Sequence, residues 1–225
     1  MSNKVGVLLS GCGYQDGSEV YEAVLTILAL ERAGAQVRAL APDMDQNEVI
    51  NHYSGQEARG EALGPASSVI AQAARIVRGK ITSVKEVSGH DFDALIIPGG
   101  FGVVKNLCTF AVDGEDADVH PEVRRLITEI NSLEKPIGAI CIAPVLVALV
   151  LGSKHPTLTI GNDGKVALAL QKFGAHHRET ALEEIAVDVP NKIVSTPAFM
   201  LAKDALDAEP GINKLVEKVL SLISD

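Results

Sequence analysis

A doubly wound α/β fold, with a mostly parallel sheet and helices on both faces, is what this 225-residue sequence predicts. Three observations carry it. β-branched apolar runs alternate with runs of helical period from one end of the chain to the other. Aromatics make up only 4% and Trp is absent, so the 47% hydrophobic content is mostly Val, Ile, Leu and Ala, as in sheets covered on both sides. No repeat, low-complexity tract or linker-like shift interrupts the pattern. The length suits one core, so residues 1–225 are expected to form a single domain.

The first element is "KVGVLL", Lys4 to Leu9, an unbroken apolar run that reads as a buried strand. "SEVYEAVLTILALERAG" follows at helical spacing, with Ser18 expected as N-cap and Gly34 as the stop. "QVRALAP" is the next strand, and a β-α-β opening forces a parallel pair. The Gly-rich "YSGQEARGEALGPASS" is expected as a loop and "SVIAQAARIVRG" as a helix. "DALIIPGG", Asp93 to Gly100, reads as a central strand ending in a turn. "HPEVRRLITEINSLEK" is amphipathic, with Pro121 near its start, where proline is tolerated. Then come the strand "PIGAIC", the helix "APVLVALVLG", a short strand "TLTIG" and the helix "KVALALQKFG". "EIAVDVPNKIVST" reads as a hairpin-like pair around Pro190-Asn191, and a helix after Pro197 closes the chain. In such a sheet, reactive groups gather at the carboxyl ends of the strands, after Leu9, Pro98, Cys141, Ile160 and Thr196.

Charge and composition exclude several classes. A formal net charge of -9 without a basic stripe argues against nucleic acid. The longest apolar run, "IGAICIAPVLVALVLG", is too short and too interrupted by Pro144 to span a bilayer, so no membrane partner is expected. Cys12, Cys108 and Cys141 are sparse and odd in number, which fits a reducing compartment better than a disulfide scaffold. The N-terminal residues lack the character of a secretory or transit peptide, so a cytoplasmic protein is expected.

Cys141 carries the chemistry. A strand that stops at a nucleophile and turns at once into a helix is a nucleophile elbow, here Gly138-Ala139-Ile140-Cys141-Ile142-Ala143. A thiol there is expected to have its pKa lowered by the helix N-terminus. The Ile142 amide would face an oxyanion formed when Cys141 attacks a carbonyl. Taken alone, "GAICIA" fits a cysteine packed as a small hydrophobe equally well. Gly99 and Gly100 in "IIPGGFG" can turn another amide toward the same space. No Gly-Lys-Ser/Thr follows them, and "GCGYQDG" lacks the dinucleotide spacing, so neither a phosphate loop nor a nicotinamide site is expected.

"GAICIAP", "IIPGGFG" and "DGSEVYEAV" together resemble the ThiJ/PfpI superfamily, relatives of class I glutamine amidotransferases. More narrowly, "LLSGCGYQDGSEVYEAV", "VINHYSG", "PGGFGVVKNL", "CIAP", "LTIG" and "NKIVSTPAFML" resemble its ElbB branch, over nearly the whole chain from Leu8 to Leu201. The resemblance implies a flavodoxin-like sheet, a reactive Cys141 and a carboxyl partner at Glu22 touching the thiol. By spacing alone Glu22 would be a solvated helix glutamate. A carboxyl beside a thiolate shares one proton with it, leaving Glu22 mostly protonated. The sulfur is expected to be exposed at the mouth of a cleft and ionised at neutral pH.

The resemblance further implies a glyoxalase that needs no glutathione, metal or other cofactor. It would convert glyoxal, a small reactive aldehyde, to glycolate through a cysteine hemithioacetal, and could register as deglycase activity. A homodimer is implied as well. The alternative is a non-enzymatic redox-sensing or partner-binding protein with an oxidisable cysteine, linked indirectly to isoprenoid production. Many members of the superfamily place a histidine just after the short strand that follows the elbow, where this chain has Gly161 or Asn162. His155 and His177 lie elsewhere and are not expected to act as bases. Cys12 and Asn106 are candidate pocket residues, Cys12 as a second thiol. Cys108 has no placement argument, and the acidic run "DGEDADVHP" fits no cation loop.

Overall fold

The computed structural model describes residues 2–58 and 67–223. In chain order its elements are β1 (Lys4–Leu8), α1 (Val20–Arg32), β2 (Gln36–Ala41), β3 (Ile50–Asn51), β4 (Gln56–Glu57), α2 (Val69–Ile76), β5 (Ile81–Ser83), β6 (Ala94–Ile97), α3 (Phe110–Asp113), α4 (Pro121–Ser132), β7 (Ile137–Ile140), α5 (Ala143–Leu151), β8 (Thr157–Leu158), α6 (Gly164–Lys172), β9 (His176–His177), β10 (Ala186–Asp188), β11 (Ile193–Thr196) and α7 (Ala205–Ile223). The main sheet runs β10-β11-β7-β6-β1-β2-β5. Every pairing in it is parallel except that of the edge strand β10 with β11. This is the mostly parallel α/β fold that the strand–helix alternation predicts.

The helices cover both faces, which is why the central strands can be apolar on every residue. From β1 the chain steps to β2 and then β5, with α1 and α2 side by side on one face. It then reverses through β6, β7 and β11, with α4 and α5 in contact on the other face. Finally α7 returns to pack along α1. All four residues of β6 and all four of β7 are buried. The chain therefore leaves the neighbouring strands β1 and β6 in opposite directions across the sheet, and doubly wound sheets hold their ligands outside the carboxyl ends of strands at such a switch point.

Several expectations change in detail. Helix α1 starts at Val20 with Glu19 as its N-cap; the hydroxyl of Ser18, the expected cap, instead accepts the Ser10 N–H at 2.8 Å. The "TLTIG" strand does not join the main sheet, because β8 pairs with β9 in a separate two-stranded piece. Strand β5 extends the main sheet at its edge although three residues are too few to show a period. Part of the expected polar loop forms the small β3–β4 hairpin, and its residues 59–66 lie outside the described residues. The pair around Pro190-Asn191 is the antiparallel β10–β11 hairpin. Between β6 and α3 the chain makes a π-helical turn, Val103–Leu107, a form that often marks functional regions.

Candidate active site

Two strand ends carry strained corners. Cys141, directly after β7, has φ +61°, and Ala198, just after β11, has φ +42°. Other non-glycine residues with positive φ are exposed or half-buried, whereas these two are buried. Left-handed backbone on a side chain with a Cβ costs about 1–2 kcal/mol, so each corner is held by what surrounds it. The Cys141 N–H donates to the Thr196 carbonyl at 2.9 Å, continuing the parallel ladder into the elbow. Helix α5 then begins at Ala143 with Pro144 in its first turn, where no N–H is needed.

These corners converge on Glu22. Its carboxyl is fully buried in the first turn of α1, and one oxygen accepts the Gly99 N–H at 2.8 Å. The other accepts the Phe199 N–H at 3.2 Å, aimed by the turn at Ala198. The carboxyl lies beside the Cys141 side chain, both within 3 Å of the point where a Cβ on Gly99 would sit, and it acts electrostatically on the thiol together with the amides of Gly100 and Ile142. The structure therefore brings together Cys141, Glu22, Gly99, Gly100 and Ile142. Gly99 differs from its expected part: its amide holds Glu22 rather than facing an oxyanion.

Glycine is required at this junction for steric reasons. A Cβ on Gly99 would lie 2.5 Å from the Cys141 Cβ and 2.8 Å from a Glu22 oxygen. Gly100 has φ +97°, and a Cβ there would meet the Glu19 nitrogen at 2.3 Å. The loop after β6 is stitched to the loop after β1 by Glu19 N–H to Gly99 O, Phe101 N–H to Tyr14 O and Gly102 N–H to Gly17 O, at 2.9, 2.7 and 2.9 Å.

Electrostatics overturn one expectation. Cys141 is only 7% exposed, and burial, with Glu22 beside it, holds its thiol pKa well above the ordinary range despite the two amides. The sulfur is thus neither widely exposed nor shifted toward the thiolate. Burial, then the neighbouring Glu19 carboxyl, raises Glu22 to about 8, so it is mostly protonated near neutrality. Glu19 is itself raised by burial, and its carboxylate oxygen accepts the Glu22 N–H at 2.7 Å.

The sulfur opens onto a cavity of about 330 Å³ bordered by Tyr14, Glu19, Phe101, Asp163, Val166 and Phe199, among others. The sequence reading missed these residues. Phe199 lies in the quoted segment "NKIVSTPAFML" and Glu19 in "DGSEVYEAV", but nothing in their spacing shows that they face a cysteine. The two candidate pocket residues do not border this cavity. Asn106 is buried in the π-helical turn and ties the loop after β1: its Nδ2 donates to the Ser10 and Asp16 carbonyls at 2.9 and 2.8 Å. Its Oδ1 accepts the Asn47 N–H at 3.0 Å. Cys12 sits in that same loop, half-buried, with its thiol pKa raised mainly by burial.

Among the described residues no histidine borders the cavity. The His155 ring Nδ1 lies 2.9 Å from the Gly174 carbonyl oxygen, and His177 belongs to β9. Gly161 has φ +81°, and a Cβ there would approach Leu201 Cγ to 2.9 Å, so an imidazole at 161 would be both strained and blocked. Cys108 is buried with its thiol raised to about 11, again by burial. Among the described residues there is no cluster of potential metal ligands, and no helix is long and apolar enough to cross a membrane.

Comparison with known proteins gives the geometry a context. The profile of the DJ-1/PfpI family matches residues 12–184. The human glutamine amidotransferase-like class 1 domain-containing protein 3, mitochondrial, is 44% identical over 97% of this chain and 83% of its own length. The rat ES1 protein homolog, mitochondrial, is 43% identical over 97% of this chain and 84% of its own. Among solved structures, an isoprenoid biosynthesis protein with an amidotransferase-like domain from Ehrlichia chaffeensis superimposes with a TM-score of 0.89 at 30% identity, covering 98% and 99% of the two chains. A DJ-1 variant from Schizosaccharomyces pombe, at 18% identity and a TM-score of 0.56 over 98% and 97% of the two chains, shares the fold.

Proposed function

The chain belongs to the DJ-1/PfpI family, which includes glyoxalase and deglycase members, and from that premise we propose that it is a cofactor-independent glyoxalase converting glyoxal to glycolate. The observation that supports this reading is the Cys141 thiol set beside the buried carboxyl of Glu22 at the strained elbow after β7.

The chemistry balances with these groups and one water. In its reactive form the thiol–carboxyl pair holds a single proton. Sulfur bonds to one aldehyde carbon, the carbonyl π pair moves to oxygen, and Glu22 delivers the proton to that oxygen to give a hemithioacetal. The amides of Gly100 and Ile142 stabilise the transient oxyanion. Glu22, now a carboxylate, takes the hydrogen of the sulfur-bearing carbon as a proton; the C–H electrons form a double bond to the second carbon, whose carbonyl π pair moves to its oxygen. The proton on the first hydroxyl passes to the second oxygen, the first oxygen re-forms a carbonyl, and the displaced C=C pair takes the proton that Glu22 returns to the second carbon. The first carbon is thereby oxidised and the second reduced, leaving a thioester of glycolate. Water adds, the carbon–sulfur bond breaks, and sulfur recovers a proton. A carboxyl that is acid and base in turn needs a pKa near the working pH, which is where burial puts Glu22.

Cys141→Ser is expected to abolish glyoxal turnover with an unchanged circular dichroism spectrum; retained turnover would remove the nucleophile assignment. Deglycase activity uses the same groups, and a purified adduct assayed without free aldehyde separates the two. A homodimer and a cytoplasmic location belong to the proposal too, to be read by sedimentation and by fractionation. The rat and human relatives carry "mitochondrial" in their names.

A further inference from the structure

The wall of the catalytic cavity carries charge of one sign. Its ionisable carboxyls are Glu19, at the start of α1, and Asp163, the N-cap of α6. Among the described residues no Lys, Arg or His borders it. Lys105 lies 5.7 Å from the Phe101 ring centroid, but its ammonium is engaged by Glu48 at 2.9 Å and by the Gln15 carbonyl at 2.9 Å. The remaining wall is largely aromatic and aliphatic: Tyr14, Phe101, Val166 and Phe199. Phe199 is braced by Tyr21 stacked at 6.1 Å. At about 330 Å³ the space far exceeds what glyoxal fills and falls at the low end of the roughly 300–1,000 Å³ of pockets that take drug-sized ligands.

We infer that this site is built for uncharged 2-oxoaldehydes with an apolar or aromatic substituent and turns carboxylated ones away, with Glu19 and Asp163 as the residues that set the charge preference. This rests on the glyoxalase reading for its chemistry, although the charge selectivity is a property of the cavity itself. An aryl group would lie between the aromatic side chains, where ring contacts add to burial. A carboxylate on the substrate would face two acids and, among the described residues, no cation, in a protein whose formal net charge of -9 already repels anions. The same arrangement favours product release. The hydroxy acid ionises once the thioester is cleaved, so the wall that admits the neutral substrate repels the anionic product.

Both acids can be neutralised while their hydrogen bonds survive. Glu19 uses one oxygen to cap the Glu22 N–H, and Asp163 uses one oxygen for the N–H groups of Lys165 and Val166. Gln and Asn retain an acceptor in each place. The experiment compares kcat/KM for phenylglyoxal, glyoxal and 4-carboxyphenylglyoxal on the wild-type protein and on the Glu19→Gln/Asp163→Asn double variant. Phenylglyoxal is expected to exceed glyoxal by about tenfold, and the carboxylated probe to fall several-fold below phenylglyoxal, as like charge from the half-buried Glu19 and the exposed Asp163 implies. In the double variant, the ratio of carboxylated to uncharged probe should rise several-fold. Turnover of all three probes without charge discrimination would overturn the inference and leave the glyoxalase reading standing.

A second readout needs no catalysis. Alkylation of Cys141, followed by mass spectrometry of its peptide, is timed with neutral iodoacetamide and anionic iodoacetate, with glutathione as reference thiol. The amide should be preferred at Cys141 by about ten times more than at glutathione, and the double variant should lose that excess. If no aldehyde is turned over but this excess is seen, the glyoxalase reading falls and the charge-selective cavity stands. Equal preference at the two thiols sinks the selectivity itself.

Discussion

At the level of single residues, the site rests on groups held where they would not choose to be. Glu22 is a fully buried carboxyl, and its two backbone donors, Gly99 and Phe199, offset only part of its desolvation. Because its pKa lies at about 8, kcat/KM for glyoxal is expected to rise about tenfold per pH unit on the acid side and to level off above that value. Glu22→Gln should abolish this limb as well as most of the rate, and an unshifted profile in that variant would assign the titration elsewhere. Gly99→Ala places a methyl in contact with both Cys141 and Glu22. It should lower kcat/KM at least about a hundredfold while costing about 1–3 kcal/mol of stability in a urea titration. Cys141 could be singled out in the sequence because the strand-to-helix switch around it is local. That Glu22 faces it could be drawn only from the family resemblance, since helical period alone leaves a glutamate on either face.

Among the elements, the loop after β1 and the loop after β6 act as one platform. Their backbones are hydrogen-bonded to each other, and Asn106 in the π-helical turn clamps the first loop from beneath. Asn106→Ala removes the Asn106 bonds to the Ser10 carbonyl and the Asn47 N–H and one of two side-chain donors to the Asp16 carbonyl, which keeps Gln46 Nε2 at 3.1 Å. A loss of about 2–4 kcal/mol is expected, with faster hydrogen exchange over residues 10–18. Unchanged exchange would show that the backbone contacts suffice. The strands β1, β6 and β7 were legible because each is a buried apolar run. The π-helical turn, β5 and the β8–β9 pair were not: two- and three-residue strands carry no period, and a π turn has no spacing signature. Asn106 was picked out from its motif, but its work in the loop depends on what lies across the fold.

Across the whole molecule, the buried acid makes stability depend on pH. Folding raises Glu22 from 4.5 to about 8, so between those values the folded chain keeps a proton that the unfolded chain has released. Stability should therefore decline as pH rises through that interval, by up to about 5 kcal/mol from this group, and flatten above it. Denaturant titrations of the wild type and Glu22→Gln across the interval test this: the variant should lack the decline, and parallel curves would refute the assignment. By itself the sequence determined the fold class, the strand that ends at Cys141 and the absence of a dinucleotide fingerprint, because each is written in contiguous residues. Only the tertiary structure decided the protonation of the thiol–carboxyl pair, the one-signed wall of the cavity and the placing of Asn106 outside it. Desolvation and proximity depend on segments far apart in the chain, and no local spacing records how deeply a side chain is buried or which charge it faces.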